Sequence, residues 1–402
     1  MNQYTEDAIG YLVYACGRLC SIGRRLRRQK STGAILVLRA EAIGDMVVTT
    51  PFLRELRRNY PERHITLVCS PQVYNLVELC PYVDEILTYR KQFSRHKYIT
   101  NLKQAFFFAR KYLQQRNYEM AIVPAYASPD AYAEAWLGFF AGVRKRIGYA
   151  ENVDEHKHEY YRGSIDVYFT DILYSDGVVH EAEASLNILR YLHCPVQDES
   201  LEVWTDAQDA KAVDKLFHMR GIHDEKIKIA LNLSTSNHTK DWPVENYAAV
   251  CRQLQEKYPV EILLIGAGKD AEAYRDMFYG AGLKAADFVD KTTLRQTIEV
   301  LRRSDLYLGG DTGPMHLAAA CDLSGAAIYK TAKNVSREVH DPAKTFAPWH
   351  SAMTILQPEN ALPGCENGCT LGYAHCIKQI TVKQVLAAME EQMKRQRFFH
   401  KK

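Results

Sequence analysis

The stretch Leu306-Tyr-Leu-Gly-Gly-Asp-Thr-Gly-Pro-Met-His-Leu-Ala-Ala-Ala320 reads as a buried strand that turns directly into a helix. Thr312 is a suitable helix cap, Pro314 fits a first helical turn, and the alanines at 318–320 favour the helix that follows. A strand that leads at once into a helix is typical of the βαβ units from which parallel sheets are built.

The turn between this strand and its helix is a candidate binding site for an anion. The backbone amides around Thr312 and Gly313, with the positive end of the helix dipole, suit a diphosphate. Asp311 precedes the helix, where its carboxylate can accept hydrogen bonds from sugar hydroxyls, and His316 lies in the first turn, within reach of the same pocket. The alternative is a well-capped buried helix with a histidine in the core.

The alternation of strand and helix continues on both sides of this stretch. Strand-like runs in the second half of the chain lie at 228–232, 261–265, 288–289, 306–308 and 326–329. Those in the first half lie at 34–38, 64–68, 85–88 and 120–123, with a helical stretch at 101–116 before the last of them. This pattern predicts an α/β fold of two Rossmann-like halves, each with a parallel sheet, facing each other across a cleft.

The length and composition of the chain fit two globular domains. A chain of 402 residues is long for one domain, and residues 195–210 have the composition of a linker. We therefore expect a basic arm at 1–33, a first domain at 34–200 and a second at 206–402, with a final helix (381–395) packing back on the first. A net charge of +3 gives no overall indication of nucleic-acid binding.

Residues 1–33 differ from the rest of the chain in their pattern of apolar and basic side chains. Apolar side chains recur at helical spacing between Ile9 and Leu19, and six basic residues follow with no acidic residue among them. The apolar run is too short to span a bilayer. Most of the basic residues follow this run, whereas in a cleaved signal peptide the basic residues precede it. Either this helix lies on an anionic inner membrane, or it is a solvated basic arm or a helix packed on the body.

With isolated cysteines and no export signal, the expected location is the cytoplasm, with a peripheral position on the inner membrane as the open alternative.

Asp45 is the candidate catalytic residue of the first half. The run Leu38-Arg-Ala-Glu-Ala-Ile-Gly-Asp45 leaves the carboxyl end of the first strand, which in an open α/β sheet faces the ligand. A carboxylate there can take a proton from an attacking hydroxyl. The alternative role is a helix cap, for which aspartate is also preferred.

A polar loop after the first strand of the second half supplies further candidates. It reads Asn232-Leu-Ser-Thr-Ser-Asn-His-Thr-Lys-Asp-Trp-Pro243. Ser234 offers a hydroxyl donor, and Lys240 a flexible cation that can pair with phosphate. The alternative is an ordinary polar surface loop.

Two other patterns are weaker. Gly266-Ala-Gly-Lys-Asp-Ala271 resembles a dinucleotide fingerprint, but Asp270 would stand where the pyrophosphate belongs. Cys365, Cys369, His375 and Cys376 lie close in sequence without a standard zinc spacing, so a packed loop or a redox-sensitive thiol cluster is expected there rather than a metal. The sequence has no Asp-x-Asp motif, which leaves a metal-held nucleotide diphosphate without support. We expect no metal and no cofactor.

Four segments together resemble the heptosyltransferase family of glycosyltransferases that build bacterial lipopolysaccharide. The matching segments are Ile35 to Pro51, Lys240-Asp-Trp-Pro243, Asp290-Lys-Thr-Thr-Leu294 and Gly310-Asp-Thr-Gly-Pro-Met-His-Leu-Ala-Ala319. The resemblance implies a GT-B fold and inverting, metal-independent transfer. It also implies a nucleotide-sugar donor, usually ADP-heptose, and a lipopolysaccharide or other cell-envelope glycan as acceptor.

The resemblance also implies roles for the candidate residues. Asp45 would be the catalytic base, and Lys240 would neutralise the donor diphosphate. Asp311, with Thr312, Gly313 and His316, would line the donor pocket. Two alternatives remain at this stage, a nucleotide-sugar epimerase on the same fold and a non-catalytic sugar-nucleotide-binding envelope protein.

Overall fold

The computed structural model describes residues 11–15, 32–91, 98–126, 132–150, 165–175, 177–222, 225–335, 341–366 and 372–399. The chain forms two compact units. Unit 1 comprises Met1–Tyr74 and Cys80–Glu199, and unit 2 comprises Asn75–Leu79 and Ser200–Lys402. The change from one unit to the other at Glu199 and Ser200 falls within the segment whose composition predicts a linker. Most of the predicted arm, residues 1–10 and 16–31, lies outside the described residues.

Unit 1 is built on a six-stranded parallel sheet in the order β3-β2-β1-β4-β5-β6. Its strands are β1 (Ile35–Arg39), β2 (Ile65–Cys69), β3 (Glu85–Thr88), β4 (Met120–Ile122), β5 (Lys145–Tyr149) and β6 (Asp171–Leu173). Its helices are α1 (Ile43–Asn59), α3 (Tyr98–Phe108), α4 (Tyr132–Phe140) and α5 (Glu181–Tyr191), whereas the short helix α2 (Tyr74–Val77) has its first residue in unit 1 and the others in unit 2. All five residues of β1 and of β2 are buried, as strands in the middle of a parallel sheet should be.

Helix α1 contains a proline that its own side chains accommodate. Pro51 has no N–H to donate to the carbonyl of Val47, one turn earlier. The hydroxyl of Thr50 donates to that carbonyl instead, at 2.7 Å. The helix therefore continues to Asn59 and carries Asp45, in its first turn, at a fixed position.

One turn of the amino-terminal arm packs on the core of unit 1. Residues 11–15 are helical, and the Tyr14 ring lies 5.4 Å from that of Phe139 and 5.9 Å from that of Tyr168. Leu12, in the same turn, is 64% exposed. This turn therefore rests on the protein body by one face, and membrane contact by the arm stays a prediction.

Unit 2 repeats the architecture with the order β12-β11-β10-β7-β8-β9, again entirely parallel. Its strands are β7 (Ile227–Asn232), β8 (Val260–Ile265), β9 (Ala286–Asp287), β10 (Leu306–Gly310), β11 (Ser324–Ile328) and β12 (Thr354–Leu356). Its helices are α6 (Ala207–Met219), α7 (Val244–Lys257), α8 (Lys269–Gly280), α9 (Leu294–Arg302), α10 (Gly313–Ala320), α11 (Pro342–Thr345) and α12 (Val382–Phe399). In both sheets the first and fourth strands of the unit are neighbours, which is the strand order of a dinucleotide-binding fold.

The last helix packs within unit 2. Val385 and Met389 of α12 belong to the same buried core as the strands of the second sheet. Gln392 donates to the carbonyl of Ala352 at 2.8 Å, beside β12. The predicted return of this helix to the first half is not tested by these contacts and stays a prediction. No helix in the part of the chain that the structure describes has the length and apolar character needed to cross a membrane.

The structure adds three strands to those predicted. β5, β6 and β12 were not predicted, and the third strand of unit 2 lies at Ala286–Asp287 rather than at 288–289. The helical stretch predicted at 101–116 is an α-helix only to Phe108. It continues as a π-helical turn (Ala109–Leu113) and a 3₁₀ turn (Gln114–Arg116).

A substitution at Gly325 tests how closely β10 and β11 pack. It has a φ of +141°, pairs with Tyr307 in the parallel register, and an added Cβ would lie 1.9 Å from the Tyr307 carbonyl oxygen. We expect Gly325→Ala to lower the free energy of unfolding by about 2–4 kcal/mol, because the clash involves backbone that cannot turn away.

Urea denaturation of the full chain measures this effect, and Gly280→Ala is the matched control. Nothing lies within 4 Å of a Cβ at Gly280, which ends α8. That substitution should change the stability by no more than about 1 kcal/mol, toward a more stable protein. Equal stabilities for the two variants would contradict the packing described for β11.

Candidate active site

The candidate residues gather where each sheet reverses its strand order. In unit 1 this point lies between β1 and β4, and Asp45 follows β1. In unit 2 it lies between β7 and β10; Lys240 follows β7, and Asp311 follows β10. Ligands of open α/β sheets bind outside the carboxyl ends of the strands at such points. Within each unit, therefore, the topology brings the predicted residues to the expected position.

Asp45 is the third residue of α1, and not its cap. The cap residue is Ala42, whose amide donates to the Asp45 carboxylate at 3.1 Å. Such a contact satisfies an amide that the helix itself leaves unpaired. The Asp45 side chain is nonetheless 22% exposed, so that part of the carboxylate side chain is open to solvent.

Arg39 organises a buried cluster of charges around Asp45. Its guanidinium lies 2.7 Å from the Glu41 carboxylate, 2.8 Å from Glu181 and 3.5 Å from Asp45. Glu181 begins α5 and also accepts the backbone amide of Tyr126, just beyond β4, at 2.9 Å. The cluster therefore joins the ends of β1 and β4 and fixes the loop that carries Asp45.

A second buried ion pair adjoins this cluster. The Lys91 ammonium lies 3.0 Å from the Glu134 carboxylate, which also accepts the amide of Ala40 at 3.1 Å. Together the cluster holds four carboxylates against two cations: Glu41, Asp45, Glu134 and Glu181 against Arg39 and Lys91.

This excess of acid in a buried place raises carboxyl pKa values. Burial, and then the charge of Glu41, raises the pKa of Asp45 to about 6, although Arg39 opposes the shift. Burial is also the main cause that raises the pKa of Glu181 to about 7, and it raises the pKa of Glu134. A carboxylate with a pKa close to neutral is a stronger base than an ordinary one, which suits general-base catalysis.

Glu181 should make the stability of the protein depend on pH. Its raised pKa means that the native protein keeps a proton that the unfolded chain releases above its ordinary pKa of 4.5. This stabilisation is complete below that value and is lost as the pH rises through about 7, so the free energy of unfolding falls across this window. We expect Glu181→Gln to remove up to about 3 kcal/mol of that fall.

Denaturation of the full chain at pH 4.5, 6 and 8 measures the fall. Glu183→Gln, two residues further along α5 at a partly exposed carboxylate paired with Arg190, is the control and should keep the wild-type profile. If Glu181→Gln retains that profile as well, the pH dependence does not come from Glu181.

In unit 2 the structure joins two of the predicted residues directly. The Lys240 ammonium lies 2.6 Å from the Asp311 carboxylate, and Asp311 is 8% exposed. Lys240 ends a short 3₁₀ turn (His238–Lys240) after β7, whereas Asp311 stands one residue before the cap of α10. The pair places a partly exposed cation beside the amino end of a helix, an arrangement that favours a bound anion.

Asp241 holds the loop that presents Lys240. Its carboxylate accepts the backbone amide of Thr235 at 3.0 Å and the hydroxyl of Tyr274 at 2.7 Å. It also lies 2.9 Å from the His238 ring and raises the pKa of that histidine. Lys330 donates to the hydroxyl of Thr239 at 2.8 Å from the other side. Hydrogen bonds to Asp241 and Thr239 therefore hold this loop, although Ser236, Asn237 and His238 are exposed, as in a polar surface loop.

The two glycines that end β10 have packing reasons. A Cβ at Gly309 would lie 2.3 Å from the hydroxyl of Tyr307, and one at Gly310 would lie 3.2 Å from the Thr235 methyl group. Gly309 therefore leaves room for the Tyr307 ring of its own strand, and Gly310 lets the end of β10 approach the Lys240 loop.

The remaining residues of the α10 turn are placed as follows. Thr312 is the cap residue, but its side chain makes no capping bond and donates to the Gly310 carbonyl at 3.4 Å. Gly313 is the first residue of the helix. His316 is buried, 3% exposed, with its ring edge-on to Phe346 at 6.2 Å, so that its contact with a donor stays a prediction.

Ser234 lies at the ends of two neighbouring strands, β7 and β8. The turn beside it, residues 266–271, resembles a dinucleotide fingerprint, but a carboxylate of the chain already binds there. The Ser234 hydroxyl is 3.8 Å from the position of a Cβ at Gly266, just beyond β8. Gly268 caps α8, and its amide donates to the Asp290 carboxylate at 2.9 Å. A carboxylate of the chain itself thus occupies the place that a pyrophosphate takes in dinucleotide-binding folds.

Several residues of these sites were not singled out from the sequence. Arg39 could have been identified from the sequence, because a charged residue at the end of a buried strand needs oppositely charged or hydrogen-bonding partners. No sequence pattern identifies the other members of the cluster, Lys91, Glu134 and Glu181, because they come from distant parts of the chain. Asp241 stood in a quoted motif without an assigned role.

Comparison with known proteins identifies relatives along most of the chain. The lipooligosaccharide heptosyltransferase 2 of Campylobacter jejuni is 23% identical over 216 residues, which cover 52% of this chain and 64% of that protein. The match thus spans less than two thirds of that relative's length. The lipopolysaccharide heptosyltransferase 2 of Escherichia coli is 22% identical over 309 residues, which cover 73% of this chain and 82% of that protein.

Two solved structures share the fold. A glycosyl transferase family 9 protein from Veillonella parvula has a TM-score of 0.70 at 20% identity, covering 92% of this chain and 99% of that one. The E. coli ADP-heptose lps heptosyltransferase II has a TM-score of 0.65 at 18% identity, covering 90% and 99%. These likenesses confirm the predicted GT-B fold. The model of glycosyltransferase family 9 (heptosyltransferase) matches residues 107–375, well over half of the sequence, and the chain therefore belongs to that family.

Proposed function

We propose that this protein transfers a heptose from ADP-heptose to a lipopolysaccharide or related cell-envelope glycan, with inversion and without a catalytic metal. The observation that carries the proposal is the Lys240–Asp311 pair at the amino end of α10. It provides a cation and helix amides for a diphosphate, which a metal ion would otherwise have to neutralise. The names of the relatives, which act on lipooligosaccharide or lipopolysaccharide, support the acceptor class.

Asp45 is the base in this proposal. The acceptor hydroxyl oxygen attacks the anomeric carbon of the donor, and its proton passes to the Asp45 carboxylate. A single displacement of this kind inverts the anomeric configuration. The pKa of about 6 leaves Asp45 largely ionised at neutral pH and still basic enough to assist the attack.

Lys240 and α10 act on the leaving group. As the anomeric carbon–oxygen bond breaks, the bonding pair remains on the diphosphate of ADP. The Lys240 ammonium and the first amides of α10 stabilise that charge, and Asp311 is then available to accept hydrogen bonds from the sugar. Ser234, at the ends of β7 and β8, is the further donor-side residue.

The donor class is tested by thermal shift with ADP-, GDP- and UDP-sugars. ADP-heptose should raise the melting temperature, because a ligand present at 100 times its Kd stabilises the native state by about 2.7 kcal/mol. A shift with UDP- or GDP-sugars alone would contradict the proposed donor. Transfer to heptose-deficient lipopolysaccharide, followed by mass spectrometry, should add one heptose with no added divalent cation and with no gain from Mg²⁺ or Mn²⁺.

The basic arm suits a membrane-borne acceptor. We expect replacement of Arg24, Arg25, Arg27 and Arg28 by alanine to move the protein from the membrane fraction to the cytosol, since each basic residue contributes about 1 kcal/mol at an anionic surface. This change leaves Tyr14, which packs on unit 1, in place. An unchanged distribution between the two fractions would exclude the arm as an anchor.

A further inference from the structure

A cysteine and histidine cluster lies in unit 2, in the segment between β12 and α12. The ligand atoms of Cys365, His375 and Cys376 all lie within 4.8 Å of one another. The two sulfurs are 3.5 and 3.8 Å from the same ring atom, Nδ1 of His375. Cys365 and Cys376 are 2% and 4% exposed. Both thiols thus lie within hydrogen-bonding distance of one imidazole nitrogen.

The two sulfur–nitrogen separations fit the edges of a tetrahedral metal site. With Zn–S bonds of about 2.3 Å and Zn–N bonds of about 2.0 Å, the sulfur–nitrogen edge of a tetrahedron is about 3.6 Å. The backbone amide of Leu362 donates to the Cys376 sulfur at 3.4 Å, the kind of outer contact that orients a metal-bound thiolate. Two soft sulfurs and one imidazole favour zinc or iron(II) over magnesium or calcium.

We infer that Cys365, His375 and Cys376 bind a divalent transition-metal ion of the thiolate-preferring class, with Zn²⁺ as the expected occupant. The three residues supply the two sulfurs and the Nδ1 atom, a water molecule takes the fourth position, and binding releases the two thiol protons to solvent. This departs from the expectation of no metal that the sequence spacing alone gave. Cys369 lies outside the described residues and forms no part of the proposed site.

The position of the cluster indicates a structural metal. Cys376 begins a 3₁₀ turn (Cys376–Gln379) that leads to Ile380, whose carbonyl accepts the indole N–H of Trp242 at 2.9 Å. Gln379 also donates to the carbonyl of Asn360 at 2.9 Å, on the incoming side of the same segment. Trp242 is 1% exposed and follows Lys240 by two residues. A metal here would link Cys365 to Cys376 and hold the turn that supports Trp242.

Metal analysis of the full-length, tag-free protein tests the inference. We expect about one zinc per chain by mass spectrometry of the elements, and at least about tenfold less in Cys365→Ser, Cys376→Ser and His375→Ala. Cys194→Ser is the matched control, since it removes a buried thiol of unit 1 and should keep the metal. Iron found in place of zinc at the same stoichiometry, and lost in the same variants, would also support the site.

A second measurement covers variants that fail to fold. Wild-type protein stripped by a chelator should take up Co²⁺ and show the thiolate-to-cobalt charge-transfer absorption of a tetrahedral site, with its melting temperature restored. Three results would overturn the inference: a wild-type chain that neither holds nor takes up metal, variants that keep it, or a Cys365–Cys376 disulfide in protein purified without oxidant.

Discussion

We expect Asp45→Asn to lower the kcat of sugar transfer by about 10²–10⁴-fold while the protein stays folded, because the substitution removes a general base. The amide oxygen of asparagine can still accept the Ala42 amide that Asp45 accepts at 3.1 Å, so the first turn of α1 keeps its hydrogen bond. What the variant loses is the capacity to take a proton.

The pH profile separates the loss of a base from a general loss of structure. A base acts when it is ionised, so the wild-type kcat/KM should rise with pH through about 6, the pKa to which burial and Glu41 bring Asp45. In Asp45→Asn that rise should disappear from the remaining activity. Steady-state assays between pH 5 and 8 with a fixed acceptor measure both quantities.

Asp84→Asn is the matched control for this variant. Asp84 also belongs to unit 1, accepts a backbone amide, that of Ile65, at 2.7 Å, and pairs with an arginine, Arg57. Its substitution should leave transfer within about twofold of wild type, as expected for a residue away from the chemistry. If Asp84→Asn and Asp45→Asn lose equal activity, or if Asp45→Asn transfers sugar normally, Asp45 is not the base.

The sequence predicts the strands that form the middle of each sheet better than those at its edges. β1, β7 and β8 each contain a run of three or four apolar residues, because both faces of such strands are buried. β6 and β12 are three residues long, with side chains that are mostly half-buried, and no hydrophobic pattern distinguishes such segments from loops. The strand order follows from the βαβ connections, which is why the fold was predictable without the edge strands.

Some residues of the site were predictable from the sequence for the same reason, and others were not. Asp311 was predictable because it directly follows the buried strand β10, and Lys240 because it lies in the loop after β7. The ends of such strands meet at one edge of a parallel sheet. The environment of Asp45 was not, since Glu181 and Glu134 lie far from it in sequence. That environment raises the Asp45 pKa, so the sequence indicated a carboxylate at the right place without its chemical character.

We expect Lys240→Gln to lower kcat by about 10²–10³-fold, because it removes a positive charge that stabilises the departing diphosphate. Glutamine is preferable to alanine here, since its amide can still donate to Asp311, which is 8% exposed and would otherwise lose a partner that lies 2.6 Å away. Calorimetry should also show weaker binding of ADP and of the nucleotide sugar.

The control and the salt dependence decide whether the effect is electrostatic and local. Lys257 forms a similar pair with Glu390 at 2.7 Å, but its side chain is 61% exposed, and Lys257→Gln should change neither kcat nor ADP affinity. The ADP affinity of wild type should fall with added salt more steeply than that of Lys240→Gln, because one of its charge contacts is absent in the variant. Unchanged ADP affinity and kcat in Lys240→Gln would exclude the diphosphate role, and they would leave the helix amides of α10 to carry the leaving-group charge alone.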